Sequence, residues 1–114
     1  MNFLSRLFGP PLQNLSAQEV NEKLKSGKRP VLVDVREPQE YASGHIAGAK
    51  LIPLGELPRR MKELSKDKEL ICFCATGSRS RSATRMLVAA GFNVFNADGG
   101  MFAWRRAGLP VKKA

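Results

Sequence analysis

Short apolar runs alternate along this chain with stretches in which apolar residues recur every three or four positions. Val31-Leu32-Val33-Asp34-Val35 is almost wholly apolar, the mark of a strand buried on both faces of a parallel sheet. Glu69 to Phe73 repeats that mark, and Ala49 to Ile52 and Phe92 to Phe95 are further short strand candidates. Between them lie helical signals. Ser16-Ala17-Gln18-Glu19 is a capping box, after which Ala17, Val20 and Leu24 share one face and Gly27 supplies a stop. Glu37 to Ser43 predicts a short helical turn ended by Gly44, and Pro58 opens a helix with Leu57, Met61 and Leu64 on one side. Ala83, Met86, Leu87 and Ala90 follow helical spacing up to Gly91, and Met101 to Arg106 form a last helix after Gly99-Gly100. The alternation predicts an α/β fold, a mainly parallel sheet flanked by helices on both faces.

At 114 residues the chain has room for one domain, expected over residues 13–114 behind an N-terminal arm at 1–12. The apolar residues Phe3, Leu4, Leu7 and Phe8 are interrupted by Arg6 and too few for a signal segment. No run approaches the ~20 apolar residues that span a bilayer, so a cytoplasmic protein with no membrane span is expected.

Two cysteines, Cys72 and Cys74, stand one residue apart and cannot staple a fold. With one histidine, His45, and no C-x2-C pair, neither a structural metal nor a cofactor is expected. The formal net charge of +9 is unevenly spread. From Leu70 onward Arg79, Arg81, Arg85, Arg105, Arg106, Lys112 and Lys113 face a single acid, Asp98. Such a field attracts small anions and favours a thiolate. Nucleic acid is not an expected partner, because no aromatic-interleaved basic stripe or binding motif accompanies the charge.

The chemistry concentrates in Cys74-Ala75-Thr76-Gly77-Ser78-Arg79-Ser80, which follows a buried strand and runs into a helix. Open parallel sheets bind ligands beyond the carboxyl ends of their strands. The small residues Ala75, Thr76, Gly77 and Ser78 let backbone N–H groups turn inward as an anion nest, with the following helix end adding positive potential. Gly77 admits a backbone angle that a larger residue resists. Arg79 is expected to add a fixed charge and a planar donor fork. The whole reads as a nucleophilic thiolate that handles an anion. By strand alternation Ile71 and Phe73 face one side and Cys72 the other, so Cys72 reads as a small packed hydrophobe, with a resolving role geometrically awkward.

That loop resembles the rhodanese superfamily, and other blocks extend the likeness over about residues 13 to 110. Asp34-Val35-Arg36-Glu37 resembles the family's early Asp-x-Arg signature; His45-Ile46-Ala47-Gly48-Ala49 with Ile52-Pro53-Leu54 resembles its next block; Asp98-Gly99-Gly100 with Trp104 resembles its closing motif. The resemblance implies a five-stranded sheet and a sulfurtransferase that holds sulfur as a persulfide on Cys74. Thiosulfate or another persulfide would be the donor, and cyanide, a thiol or a protein the acceptor. Ala75, Thr76, Gly77, Ser78, Arg79 and Ser80 would form the substrate cradle, with Asp34 and Arg36 in support.

Two alternatives stay open. One is a non-catalytic or sulfur-relay module that binds a protein partner. The other is a phosphatase or arsenate reductase of the same fold, which needs Cys-x5-Arg; here the sixth position after Cys74 is Ser80, and Arg79 stands one earlier. Asp34 and Arg36 are expected to pair with each other or with loop backbone, and His45 to anchor a loop. Phe102 and Trp104 are expected in core or edge packing, with an apolar wall beside the pocket as the alternative.

Overall fold

The computed structural model describes residues 11–113, so most of the arm expected at 1–12 lies outside the described residues. Five strands form one parallel sheet in the order β1-β5-β4-β2-β3: β1 (Gln13–Leu15), β2 (Val31–Asp34), β3 (Lys50–Leu51), β4 (Leu70–Phe73) and β5 (Val94–Ala97). The helices are α1 (Ala17–Leu24), α2 (Pro38–Ser43), α3 (Leu57–Arg60), α4 (Ser78–Ala89) and α5 (Gly100–Arg106). No helix among the described residues is long and apolar enough to cross a membrane.

The two faces of β4 sort its residues as strand alternation requires. Leu70 and Cys72 join Val33, Val35 and Val94 against Leu57, Ala83 and Leu87 of α3 and α4. Ile71 and Phe73 join Leu32 and Ala97 against Val20 of α1 and Met101 and Trp104 of α5. Phe73 meets Trp104 edge-on at 6.2 Å between ring centroids, and Trp104 donates its indole N–H to the Pro110 carbonyl at 2.8 Å. Trp104 is therefore core, as expected.

Several local expectations hold for physical reasons visible in the backbone. Ser16 and Glu19 close the capping box reciprocally at 3.2 and 2.9 Å. Gly91, at φ +96°, ends α4 with bonds from its own N–H to Val88 and from Phe92 N–H to Leu87, while Phe92 and Leu87 pack together in the core. Other expectations shift. Gly27 is not the stop of α1, which closes at Lys25 through bonds to the Glu22 and Lys23 carbonyls. The segment after Pro53 divides into a 3-10 turn at Leu54–Glu56, the single turn α3, and a second 3-10 turn at Met61–Glu63. β5 starts two residues later than the apolar run suggests. The edge strand β1 is new: its sequence, Gln-Asn-Leu, buries Leu15 alone and so carries no alternating pattern.

β2 and β4 are neighbours, paired from Val31 with Leu70 to Asp34 with Phe73. After β2 the chain moves outward to β3; after β4 it moves the opposite way to β5. The crevice of an open α/β sheet forms where the order reverses in this manner. Asp34 and Cys74, at the ends of these two strands, flank that crevice.

Candidate active site

Cys74 follows the last residue of β4 and is only 1% exposed. The loop turns back at Gly77, whose φ of +105° lies in the left-handed region. That turn aims the Gly77 N–H at Cys74 Sγ, 2.9 Å away. In the thiol form Sγ–H donates to Ser80 Oγ at 3.3 Å, and the Ser80 hydroxyl donates to the Gly77 carbonyl at 3.1 Å. Loss of the thiol proton lets the hydroxyl rotate toward sulfur, since a serine O–H has no fixed direction. Burial pushes the Cys74 thiol up, but the Ser80 hydroxyl and the backbone N–H groups of Ser80, Gly77 and Thr76 outweigh it and bring it below its ordinary value. The result is a buried sulfur surrounded by donors, suited to carrying negative charge.

Cys72 lies on the same face of the sheet and differs in what meets its sulfur. It is fully buried, and desolvation pushes its thiol up to about 12, against a weaker opposing bond with Thr84. Thr84 also returns its hydroxyl to the Ser80 carbonyl at 2.7 Å, so it braces the turn of α4 that carries Ser80.

The Arg79 fork is bonded to a carboxylate. It makes a two-pronged ion pair with Glu40 at 2.7 and 2.9 Å, and that partner holds the Glu40 carboxyl at about 2. Arg79 still feels the charge of Cys74, but its nearest partner is an acid on α2, and the hydrogen-bond donors at the sulfur are the backbone and Ser80. Glu40 carried no motif that could have identified it from sequence, because the pair joins residues 39 positions apart.

A second charge pair continues this chain inward. Arg36 donates to both oxygens of Asp34, at 2.9 Å from Nε and 2.7 Å from a terminal nitrogen, with the side chains 4% and 2% exposed. The remaining Arg36 donors hold the Glu40 carbonyl at 3.2 Å and the Gly44 carbonyl at 2.8 Å. Asp34 and Arg36 therefore pair with each other and with loop backbone, fixing the start and end of α2. His45 anchors the next loop, with Nδ1 2.8 Å from the Tyr41 carbonyl, its ring stacked on Tyr41, and its backbone bridged to Lys112.

The other side of the loop is clamped by α5. Met101 N–H donates to the Cys74 carbonyl at 2.9 Å and Phe102 N–H to the Ala75 carbonyl at 3.0 Å. Gly99 and Gly100 both take positive φ here, and the approach requires Gly100: a Cβ on it would overlap the Cys74 carbonyl oxygen and stand 2.9 Å from Ala75 backbone atoms. Their part in seating the nucleophile's loop could have been suspected from paired glycines at a helix start, but not assigned.

Of the residues marked in the sequence, the fold brings Thr76, Gly77 and Ser80 to Cys74 Sγ, and Ala75 lines the adjoining cavity. Ser78 is exposed at the first position of α4, and Arg79 turns to α2. Phe102, expected first in packing, is instead 60% exposed and lines a cavity of about 580 Å³ beside Ala75 and Thr76, which is the apolar-wall alternative. No cluster of histidine, cysteine or acid among the described residues has the makings of a metal site.

Known proteins are similar to this chain in sequence and fold. The family model of the rhodanese-like domain matches residues 16–107. A sulfurtransferase of Allochromatium vinosum is 35% identical over 101 residues, which are 88% of this chain and 94% of that protein. The crystal structure of a rhodanese-related protein from Thermoplasma volcanium is similar at a TM-score of 0.83 and 35% identity, over 88% of this chain and 97% of that one. A Rhodopseudomonas palustris protein of unknown function, described as a possible tyrosine phosphatase, matches at a TM-score of 0.81 and 30% identity, over 89% and 85% of the two chains.

Proposed function

Because the chain belongs to the rhodanese-like domain family, we propose that it is a sulfurtransferase in which Cys74 accepts, holds and passes on one sulfur atom. The observation that carries this reading is the sulfur of Cys74 at a strand end, met by the Gly77 N–H at 2.9 Å and by Ser80 Oγ at 3.3 Å. These donors favour the thiolate, which is the nucleophilic form.

The donor is thiosulfate or another sulfane-sulfur compound. The Cys74 thiolate attacks the outer sulfur of thiosulfate, a new S–S bond forms, the old one breaks, and sulfite leaves with the electron pair. The terminal sulfur of the resulting persulfide carries the negative charge, which the nest of Thr76, Gly77 and Ser80 N–H groups offsets. An acceptor thiolate, or cyanide, then attacks that terminal sulfur, and the Cys74 thiolate is released. Asp34 and Arg36 act at one remove: they hold α2, whose Glu40 in turn holds Arg79 and the first turn of α4.

The phosphatase reading is disfavoured by the same geometry. A Cys-x5-Arg cradle would set an arginine where Ser80 stands, and Ser80 is wholly buried with its hydroxyl at the sulfur. A purely non-catalytic module would have no need of a thiol made more acidic against its own burial. Thiocyanate production from thiosulfate and cyanide tests the reading: the wild type turns over and Cys74→Ser does not. Folded wild-type protein that forms no persulfide from thiosulfate or any other sulfane donor contradicts it.

A further inference from the structure

We propose that the surface formed by Phe102, Arg105 and Arg106 beside the Cys74 loop docks an acidic protein that carries the acceptor thiol, an inference that rests on the sulfurtransferase reading. Phe102 is 60% exposed, and its own N–H is bonded to the Ala75 carbonyl, so its backbone is fixed relative to the nucleophile's loop. The one other large hydrophobic exposed among the described residues is Val111, at 37%. Both belong to one patch: Arg105 and Val111 lie together over Gly44, where a Cβ would collide with either side chain, and Arg105 and Phe102 line the same cavity.

Three of the polar groups that line that cavity are already engaged. Arg36 is bound to Asp34 and two carbonyls, Glu40 to Arg79, and the Ser43 hydroxyl donates to the Glu40 carbonyl at 2.8 Å. A small thiol is recognised by polar groups that converge on it from a largely closed pocket. Here the unengaged groups are the Thr76 hydroxyl, an outward aromatic ring and two exposed arginines, neither of which has an ion-pair partner among the described residues. Aromatic and arginine side chains are the anchors of protein interfaces. With a formal net charge of +9, the chain attracts an acidic face and repels a basic one.

Binding is measured by fluorescence anisotropy with two labelled peptides that carry serine where the acceptor cysteine would stand. One has Glu, Asp and Leu flanks and the other Lys and Leu flanks. The acidic peptide binds roughly tenfold more tightly at low salt, the margin shrinks as salt rises, and Phe102→Ala weakens it by about tenfold. Reversing the charges with Arg105→Glu and Arg106→Glu together inverts the preference between the peptides. Equal binding of both peptides, or a preference that survives the charge reversal, overturns the proposal. So does displacement of the acidic peptide by millimolar glutathione, which would assign the surface to a small thiol. The serine peptides need no sulfur chemistry. Their failure to discriminate therefore leaves the Cys74 reading intact, while normal binding without any persulfide formation on Cys74 would overturn that reading and not the surface.

Discussion

At the scale of single residues, two cysteines on one face of one strand are made chemically different by their surroundings. Cys72 has burial against it and its thiol sits at about 12; Cys74 has three backbone donors and a hydroxyl in its favour. Alkylation of the native protein with iodoacetamide near neutral pH should therefore modify one cysteine, located at Cys74 by peptide mass mapping. Cys74→Ser should stay unlabelled until it is unfolded. Labelling of Cys72 in the folded protein would contradict the assignment. The same reasoning ranks the contributors to the thiolate. Ser80→Ala removes the hydroxyl that lowers the Cys74 thiol, so its alkylation rate should rise only at higher pH than in the wild type. Arg79→Ala should move that profile less, because Glu40 already neutralises the guanidinium. A larger shift for Arg79→Ala than for Ser80→Ala would restore the arginine as the main electrostatic partner.

At the scale of elements, the active loop is held from both sides by contacts that are specific to this packing. Gly100 lets α5 donate to the Cys74 and Ala75 carbonyls, and Gly100→Ala introduces both a clash and a side chain at φ +54°. The variant should lose about 2 kcal/mol or more of stability by chemical denaturation, with a proportionally larger loss of sulfur transfer than its folded fraction explains. Wild-type stability and activity would show that α5 is not a clamp. On the opposite side Glu40 joins α2 to α4. Arg79 lowers its carboxyl from 4.5 to about 2, so the folded state binds that proton less readily than the unfolded chain does. The pair's contribution is present in full above about 4.5 and is lost as pH falls toward 2. Glu40→Gln should flatten the acid limb of stability against pH over that window; an unchanged limb would mean that the pair contributes nothing.

These elements also show what could be read from the chain beforehand. The buried strands β2 and β4, the capping box of α1 and the Gly91 stop are written in local pattern, and each recurs in the structure. β1 is not, because a three-residue edge strand with one buried side chain has no period to detect. In the site, Cys74, Gly77 and the small loop residues announce themselves by composition. Glu40 and Gly100 do not, because their parts depend on which elements the fold brings against the loop. Arg79 is half legible for the same reason: its position in sequence beside the loop says nothing about the carboxylate that reaches it from α2.

At the scale of the whole molecule, the sheet places the β2 and β4 ends where the strand order reverses, and Arg105 and Arg106 line the cavity beside Ala75 and Thr76. The fold thus supplies a crevice, a nest of donors and an attractive field for an anion at the same spot. The central claim is that Cys74 carries a single sulfur atom there. Intact mass spectrometry after brief exposure to thiosulfate tests it most directly. Wild-type protein should gain the mass of one sulfur atom, lose it on treatment with a reductant, and gain nothing when Cys74 is replaced by serine. A wild-type mass unchanged by thiosulfate and other sulfane donors, or a sulfur adduct that persists in Cys74→Ser, would contradict the account.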